Sequence, residues 1–335
     1  MTLWNSIEKL RHRGRRLRAK LIFNSAAGNP QESAQQLVEL LEYLQATHIH
    51  ADVFLVHPEH DLSAVARKAV REGYRLIIVS GGDGTIENVA RGLIGTHATL
   101  GIIPTGTRNN LARSLNIPVN DVAEAVAVLR LGQRLRIDVG HVQNHNSSRW
   151  FLEAASVGLA SALYPAADEI QHGDLGKITE FISTLVAHAP SEIHLRLDDA
   201  QDEIVRQAHM VLVANMPYMG GNFQIAPDIS FNDRRLDVVV YSNLSKLDLI
   251  GTAVQITTGT LDQRVERFRA KKISITTKPA MPVMADGVML KDGALTVTIR
   301  PHGLAVIANA LQPTTAPEAL VDQAVKEPEM AGVQS

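Results

Sequence analysis

The sequence predicts an N-terminal doubly wound, Rossmann-like α/β domain followed by a C-terminal β-sandwich domain. Four strand-then-helix units follow one another between residues 19 and 132, which is typical of a mostly parallel sheet covered by helices. After about residue 138, alternating and β-branched runs replace that pattern and indicate an antiparallel sheet. At 335 residues the chain is long enough for two such domains.

The first domain is predicted to consist of short apolar strands, each followed by an amphipathic helix. The strands are expected at residues 19–24, 53–56, 76–79 and 99–103. Asp61 is placed to cap the helix after the second strand, and Asn120 to cap the last helix of the domain. Ligands of such sheets bind at the carboxyl ends of the strands, where three loops are expected to meet. They comprise residues 24–30, 80–85 and 104–110.

The second half contains many runs typical of strands and two helical stretches. Strands are predicted at residues 136–143, 149–156, 192–198, 204–214, 235–241, 265–277, 281–285, 294–300 and 303–308. Helices are predicted at residues 174–189 and 245–258.

Changes in composition place the domain boundaries. Residues 1–18 form a basic N-terminal extension, residues 19–136 the α/β domain and residues 137–312 the β-rich domain. Residues 313–335 are rich in Pro, Ala and acids and have little to bury, so we expect a disordered tail.

Composition limits the partners and the chemistry. The net charge of −2 gives no overall attraction to nucleic acid, so no nucleic-acid partner is predicted. Because the chain has no cysteine, it has no disulfide, no thiolate nucleophile and no cysteine-bound zinc. Its apolar runs are far shorter than the roughly 20 residues of a membrane-spanning helix, and we expect a soluble, cytoplasmic protein.

The N-terminus carries a local positive charge. Residues 1–20 contain seven Lys and Arg residues and one Glu, and one helical face there carries Leu3, Trp4, Ile7 and Leu10. This pattern suits peripheral contact with the anionic inner face of a membrane. A solvated N-terminal helix is the alternative.

The stretch Ser80–Thr85 is the first candidate for a phosphate-binding loop. Its three glycines follow an apolar run and precede apolar residues at helical spacing. Glycines let backbone N–H groups approach an anion, and the N-terminus of the following helix attracts negative charge. The stretch lacks the Lys-Ser/Thr pair of a Walker loop, and Glu87 stands where the dinucleotide-binding pattern has its third glycine. A plain strand-to-helix turn is therefore the alternative.

Three motifs carry a resemblance to a known family. They are Gly81–Thr85, Gly106-Thr107-Arg108-Asn109-Asn110 and Met284-Ala285-Asp286-Gly287. With them the chain resembles the diacylglycerol kinase catalytic family, more closely its soluble bacterial lipid-kinase branch, with sphingosine and ceramide kinases as relatives. The resemblance covers the chain from about Leu21 to Ala308. It implies an ATP-binding α/β domain joined to a β-sandwich, with catalysis in the cleft between them.

The resemblance implies roles for individual residues. Asp286 would be the general base, Asp83 and Asp138 would join it in a Mg²⁺- and water-linked network, and Asp233 would bind a structural magnesium. The residues expected at the ATP site are Asn24, Gly28, Gly81, Gly82, Asp83, Gly84, Thr85, Gly106, Thr107 and Asn109. Without the resemblance, Asp286-Gly287 is typical of a hairpin turn, and Asp138 and Asp233 are typical of a strand-end cap and a turn.

Four positions depart from the family pattern. Val288 stands where a glutamate usually follows the catalytic Asp-Gly pair, and Asn88 stands where the first helix commonly has an acid. Asn110 replaces a frequent aspartate, and Arg234 replaces a frequent glycine. These departures leave open a changed acceptor, weak activity or a non-catalytic nucleotide-binding protein.

The prediction is an ATP- and Mg²⁺-dependent lipid kinase of phospholipid metabolism that phosphorylates a hydroxyl of a neutral, diacylglycerol-like lipid. Such a transfer needs backbone donors for the phosphates, Mg²⁺ held by carboxylates and an acid that accepts the hydroxyl proton. The alternatives are a kinase of a soluble acceptor such as NAD and a non-catalytic nucleotide-sensing relative. The sequence leaves a homodimer open, and it does not identify the acceptor lipid or the residues that line its pocket.

Overall fold

Parallel strands form the centre of the first half of the chain. They are β1 (Leu17–Phe23), β2 (Ile49–Leu55), β3 (Leu76–Gly81) and β4 (Thr99–Pro104). Their order in the sheet is β4, β3, β1, β2, and each neighbouring pair is parallel, which confirms the predicted α/β domain. The structure is a computed structural model, and it describes residues 16–26, 33–144, 147–171, 173–219, 223–226, 228–242 and 265–309.

Within the described residues of the same half, five helices pack beside these strands. They are α1 (Ser33–Ala46), α2 (Leu62–Arg71), α3 (Asp83–Leu93), α4 (Asn110–Ser114) and α5 (Val122–Leu131). The predicted cap at Asp61 is confirmed, because its carboxylate accepts the Ala64 N–H at 3.0 Å. The predicted cap at Asn120 is wrong: its neighbour Asp121 caps the helix by accepting the Glu124 N–H at 2.9 Å.

Antiparallel strands dominate the second half. They are β5 (Gln133–Asn144), β6 (Ser147–Phe151), β7 (Ala154–Gly158), β8 (Ser191–Leu197), β9 (Ile204–Ala214), β10 (Tyr218–Met219), β11 (Phe223–Gln224), β12 (Leu236–Ser242), β13 (Glu266–Ala270), β14 (Lys272–Lys278), β15 (Val283–Ala285), β16 (Val288–Leu290) and β17 (Leu295–Ala308). The predicted strands at 149–156 and 265–277 are each broken into two. The predicted pair at 294–300 and 303–308 forms one long strand, β17.

Strands β5 and β17 join the two halves. They are antiparallel partners along most of their length, with an irregularity between Arg300 and Leu304. The first part of β17 also pairs with β14, and its last part runs parallel to β4 of the first sheet. The predicted domain boundary after residue 136 therefore falls inside a continuous strand.

Asp138 holds the irregular part of this junction. Its side chain is fully buried, and its two carboxylate oxygens accept the backbone N–H groups of His302 at 2.7 Å and Arg234 at 2.6 Å. Both donors have positive φ angles, 50° and 66°, so their amides turn out of the regular strand direction. The carboxylate therefore fastens two irregular segments to β5.

In the described part of the second half, two helices connect strands. Helix α7 (Lys177–Ala187) confirms the prediction at 174–189. Helix α6 (Leu159–Gln171) was not predicted; it follows strand β7 directly and contains Pro165, which disfavours a helix interior. The predicted helix at 245–258, the tail at 313–335 and most of the basic extension lie outside the described residues.

Replacing Asp138 by Ala tests its part in the junction. The change leaves two buried backbone donors without an acceptor, so we expect the free energy of unfolding to fall by about 2–6 kcal/mol in urea denaturation. Asp199→Ala is the control, because that side chain is 98% exposed and should shift the value by less than about 0.5 kcal/mol. Equal stability of the two variants would contradict the structural role of Asp138.

Candidate active site

A cavity of about 620 Å³ lies where loops at the ends of the parallel strands face the β15–β16 hairpin and helix α6. Eight of the residues predicted for the site line it together: Asn24, Gly82, Asp83, Gly84, Thr85, Gly106, Thr107 and Asp286. Residues far apart in the sequence therefore face one space. We refer to this space as the cleft.

Two glycine loops form one wall of the cleft, and they touch backbone to backbone. A methyl group added to Gly106 would lie 2.5 Å from the Cα atom of Gly82, closer than carbon atoms can pack. Only glycine at this position lets the loop after β4 lie against the loop after β3. Residues of both loops therefore line the same side of the cleft.

Helix α3 begins at this wall, with Gly82 as its N-cap. The first N–H groups of a helix have no partner within the helix, and together with the helix dipole they favour an anion. Asn24 fixes the loop from the side, because its Nδ2 donates to Thr85 Oγ1 at 2.8 Å while its Oδ1 accepts the Ala26 N–H at 3.0 Å. The wall is thus suited to phosphate groups.

Asp83 ties the two loops together. One carboxylate oxygen accepts the Asn109 N–H at 2.9 Å and the other accepts the Asn110 N–H at 2.8 Å. Burial raises the pKa of Asp83, and these backbone donors oppose that rise. Asp83 therefore has a positioning role whatever else it binds.

Two residues predicted to contact the nucleotide lie behind this wall. Gly81 is the last residue of β3, and Asn109 is only 3% exposed. The Asn109 side chain bonds both the N–H and the carbonyl of Gly106, at 3.1 and 2.7 Å, and so shapes the second loop from within. Gly28 lies outside the described residues.

Asp286 occupies a hairpin turn and also faces the cleft, so the two sequence interpretations of this residue are compatible. Ala285 pairs with Val288, and the two residues between them have φ angles of 42° and 70°, as a tight two-residue hairpin requires. The turn brings the carboxylate against the interruption between β6 and β7. There it accepts three backbone N–H groups, from Leu152 at 2.6 Å, Glu153 at 3.0 Å and Ala154 at 3.3 Å.

The environment of Asp286 raises its pKa to about 6. Burial disfavours the charged form, while the three backbone donors and the Arg149 guanidinium favour it. A carboxyl group with a pKa just below neutral pH is ionised there and still basic enough to accept a proton.

Two buried glutamates, Glu87 and Glu153, line the cleft beside Asp286 and were not predicted. Burial and the negative charge of Asp286 raise the pKa of both well above the usual range. The Arg149 guanidinium lies 4.0 Å from Glu87, and burial lowers the pKa of this arginine. Glu153 had a signal in the sequence, because it is a single acid within the apolar run 151–155.

Helix α6 closes another side of the cleft. Arg108, in the second glycine loop, donates hydrogen bonds to the Tyr164 hydroxyl at 3.1 Å and to the Asp168 carboxylate. A methyl group on Gly287 would lie 2.5 Å from that same hydroxyl. The loop, the helix and the hairpin therefore meet around Tyr164, a set of contacts without a local sequence signal.

The predicted metal ligands are not assembled into one site. Asp138 and Asp233 are not among the residues that line the cleft. Asp233 accepts the Arg235 N–H at 3.0 Å and lies 3.6 Å from the Arg269 guanidinium. Within the described part of the chain, no group of three or more His, Cys, Asp and Glu side chains is arranged to hold a metal ion.

Comparison with known proteins gives matches over both halves of the chain. A family model described as the diacylglycerol kinase catalytic domain matches residues 18–142, and one described as the YegS C-terminal NAD kinase beta sandwich-like domain matches residues 154–308. The chain is 27% identical to a diacylglycerol kinase of Bacillus subtilis (strain 168), over 81% of this chain and 89% of that protein. It is 30% identical to a diacylglycerol kinase of Mycobacterium tuberculosis (strain ATCC 25618 / H37Rv), over 68% of this chain and 75% of that protein.

A solved structure shows the same fold. The crystal structure of a diacylglycerol kinase from Bacillus anthracis str. Sterne superimposes with a TM-score of 0.69 at 21% identity. The match covers 89% of this chain and 99% of that one. The arrangement of an α/β half and a β-sandwich half, as predicted from the sequence, is therefore that of a known fold.

The contact between the glycine loops can be tested by adding one methyl group. Gly106→Ala forces this group against the Gly82 backbone, and we expect a loss of about 1–3 kcal/mol in the free energy of unfolding. Gly84→Ala, in the neighbouring loop, is the matched control because nothing lies within 4 Å of the added group. Thermal unfolding of both variants checks the prediction, and a Gly106→Ala variant as stable as the control would refute it.

Proposed function

The chain belongs to the diacylglycerol kinase family, and we propose that it transfers the γ-phosphoryl group of ATP to the free hydroxyl of a diacylglycerol-like neutral lipid in the cleft. One observation carries this proposal. The partly buried carboxylate of Asp286 faces the same cavity as the two glycine loops, although it comes from the other half of the chain. A base and an anion-binding wall are two of the components that this transfer requires, beside Mg²⁺.

In the proposed complex, the phosphates of ATP lie against the glycine loops. Residues 82–84 and Thr107 line the cleft and supply backbone donors, and the N-terminus of α3 favours the negative charge. The hydrogen bond between Asn24 and Thr85 supports the first loop. These contacts hold the γ-phosphorus in line with the acceptor, which is most of what phosphoryl transfer needs.

Asp286 is proposed to accept the proton of the lipid hydroxyl. As the hydroxyl oxygen forms its bond to the γ-phosphorus, the proton passes to the carboxylate and the bond between the γ-phosphorus and the β,γ-bridging oxygen breaks, which leaves ADP and the phosphorylated lipid. The three backbone N–H donors hold the carboxylate at one position and keep it ionised at neutral pH.

The donors in the cleft fit Mg²⁺ bound together with ATP. Mg²⁺ in kinases is held by one or two carboxylates and by the phosphates of the substrate, so no cage of protein side chains is needed. We assign Asp83 to this role, acting through water, since its oxygens already accept two backbone amides. When bound, Mg²⁺ neutralises charge on the phosphates. The bonds of Asp138 and Asp233 support structural roles for those two residues.

The acceptor would enter on the side of the second half. Met219, Met284 and Val288 contribute apolar surface to the cleft there, and Val288 is 41% exposed. An apolar residue at this position suits a lipid better than a carboxylate does. The departure from the family pattern at Val288 is thus consistent with a lipid acceptor.

Contact with a membrane also belongs to the proposal. No helix within the described ranges has both the length and the apolar character needed to cross a bilayer. We propose that the basic residues 1–20 bring the protein to the anionic inner face of the membrane, with a homodimer as a further expectation. Within the described residues 16–20, Arg18 bonds Asp52 and Tyr74, and the Lys20 ammonium lies 5.8 Å from the centre of the Tyr74 ring.

Asp286→Asn tests the base directly. Because the amide cannot accept the hydroxyl proton, we expect kcat to fall by about 10²–10⁴-fold with dioctanoylglycerol as acceptor. Asp292→Asn is the matched control, since it changes an exposed Asp-Gly pair six residues further on and should keep full activity. ATP-dependent thermal stabilisation shows that both variants still bind nucleotide. Transfer by Asp286→Asn at the rate of the control would contradict the assignment.

The raised pKa of Asp286 predicts the pH dependence. The ionised form is the base, so kcat/KM for the lipid should fall as the pH drops through about 6. A profile measured between pH 5 and 8 at saturating ATP checks this direction. An activity that is constant down to pH 5, or that rises on acidification, would contradict it.

A further inference from the structure

Glu153 presents an unused carboxyl oxygen to the cleft. Its Oε2 accepts a hydrogen bond from Asn110 Nδ2 at 2.9 Å. Its Oε1 is buried and has no hydrogen-bond partner among the described residues, although the side chain lines the cavity and is only 4% exposed. Buried polar atoms are nearly always paired, so this oxygen marks a position that a ligand atom can complete.

The same residue is linked to the proposed base. The backbone N–H of Glu153 donates to an oxygen of Asp286 at 3.0 Å. Both side chains also line the cleft and interact electrostatically, so a group bound at Oε1 would lie on the same side of the cleft as the hydroxyl proposed to be deprotonated by Asp286. For a glycerolipid acceptor, the nearest polar group to that hydroxyl is the ester on the adjacent carbon.

The surroundings of Glu153 favour its neutral form. Asp286 receives three backbone donors and Glu87 has Arg149 at 4.0 Å, whereas among the described residues the Glu153 carboxyl receives a hydrogen bond from one neutral amide. A further buried charge with so little compensation is costly. Burial and the charges of Asp286 and Asp83 accordingly raise the pKa of Glu153. Because Oε2 accepts from Asn110, the proton belongs on Oε1, and Oε1–H is a donor.

We propose that Glu153 is a specificity-determining residue whose Oε1–H donates a hydrogen bond to the ester carbonyl next to the free hydroxyl of an acyl glycerolipid. This inference rests on the proposed function and narrows its substrate class to esters. A dialkyl ether of glycerol has the same hydroxyl and similar chains but no carbonyl. A site that buries an unpaired donor discriminates against such an analogue.

The test compares two acceptors, 1,2-dioctanoyl-sn-glycerol and its diether analogue 1,2-dioctyl-sn-glycerol, with the full chain, ATP and Mg²⁺. We expect the wild type to prefer the ester by at least about tenfold in kcat/KM. Glu153→Leu should remove most of this preference by lowering kcat/KM for the ester. Glu153→Gln should retain it within about threefold, because its amide oxygen accepts from Asn110 while its NH₂ donates to the carbonyl. Glu169→Gln, an exposed change on α6, is the control and should behave as wild type.

The possible results distinguish a failure of the proposed function from a failure of the role assigned to Glu153. Phosphorylation of neither lipid contradicts the proposed function itself. Equal kcat/KM for ester and ether in the wild type contradicts only the role of Glu153, and this comparison needs no variant to fold. A third result would overturn the inference: Glu153→Gln loses as much activity as Glu153→Leu and requires a higher Mg²⁺ concentration. That result would mean that Glu153 is ionised and binds the metal ion.

Discussion

The carboxylate of Asp286 is held by the backbone of a strand interruption, and the cleft depends on this contact. Residues 152–153 separate β6 from β7, so their amides are free of strand pairing and, with that of Ala154, point at one carboxylate. The Asp286 N–H donates in return to the Ala154 carbonyl at 3.1 Å. These bonds fix a tight turn of the second half opposite the phosphate-binding loops of the first. They also offset part of the cost of burying the charge.

A concentration of acid in one cavity decides the electrostatics of the site. Asp83, Glu87, Glu153 and Asp286 all line the cleft, and the backbone donors are distributed unequally among them. The carboxylates of Asp286 and Asp83 each accept more than one backbone N–H group, so they are the groups best able to stay charged. Among the described residues, the Glu153 carboxyl accepts one hydrogen bond, from the neutral amide of Asn110. Four like charges in one buried space would repel strongly, so protons are retained on the least compensated groups. The hydrogen-bond donors, acceptors and charges that would contact ATP and Mg²⁺ are therefore in position before these ligands bind.

The sequence was most informative where the structure is local. Glycine loops, apolar strands and the helix that follows each of them are encoded by neighbouring residues, and from them the fold and the family were predicted correctly. Prediction failed where long-range pairing decides. Glu153 and Tyr164 reach the cleft only because β7 pairs with β15 and α6 follows β7.

Some motif residues have contacts that the motif does not indicate. Asn109 belongs to the second glycine-loop motif, but its positive φ and its bonds to Gly106 turn its side chain away from the cavity. Asp138 matched a metal position, yet two backbone amides occupy its carboxylate.

The most direct measurement is a crystal structure of the chain with Mg²⁺, a non-hydrolysable ATP analogue and dioctanoylglycerol. We expect phosphates against residues 82–85 and 106–107. We also expect a lipid hydroxyl within about 2.6–3.2 Å of an Asp286 carboxylate oxygen, on the side that faces the γ-phosphate. A structure in which the nucleotide occupies the loops while the lipid hydroxyl lies beyond hydrogen-bond reach of Asp286, and is not bridged to it by water, would contradict the central claim.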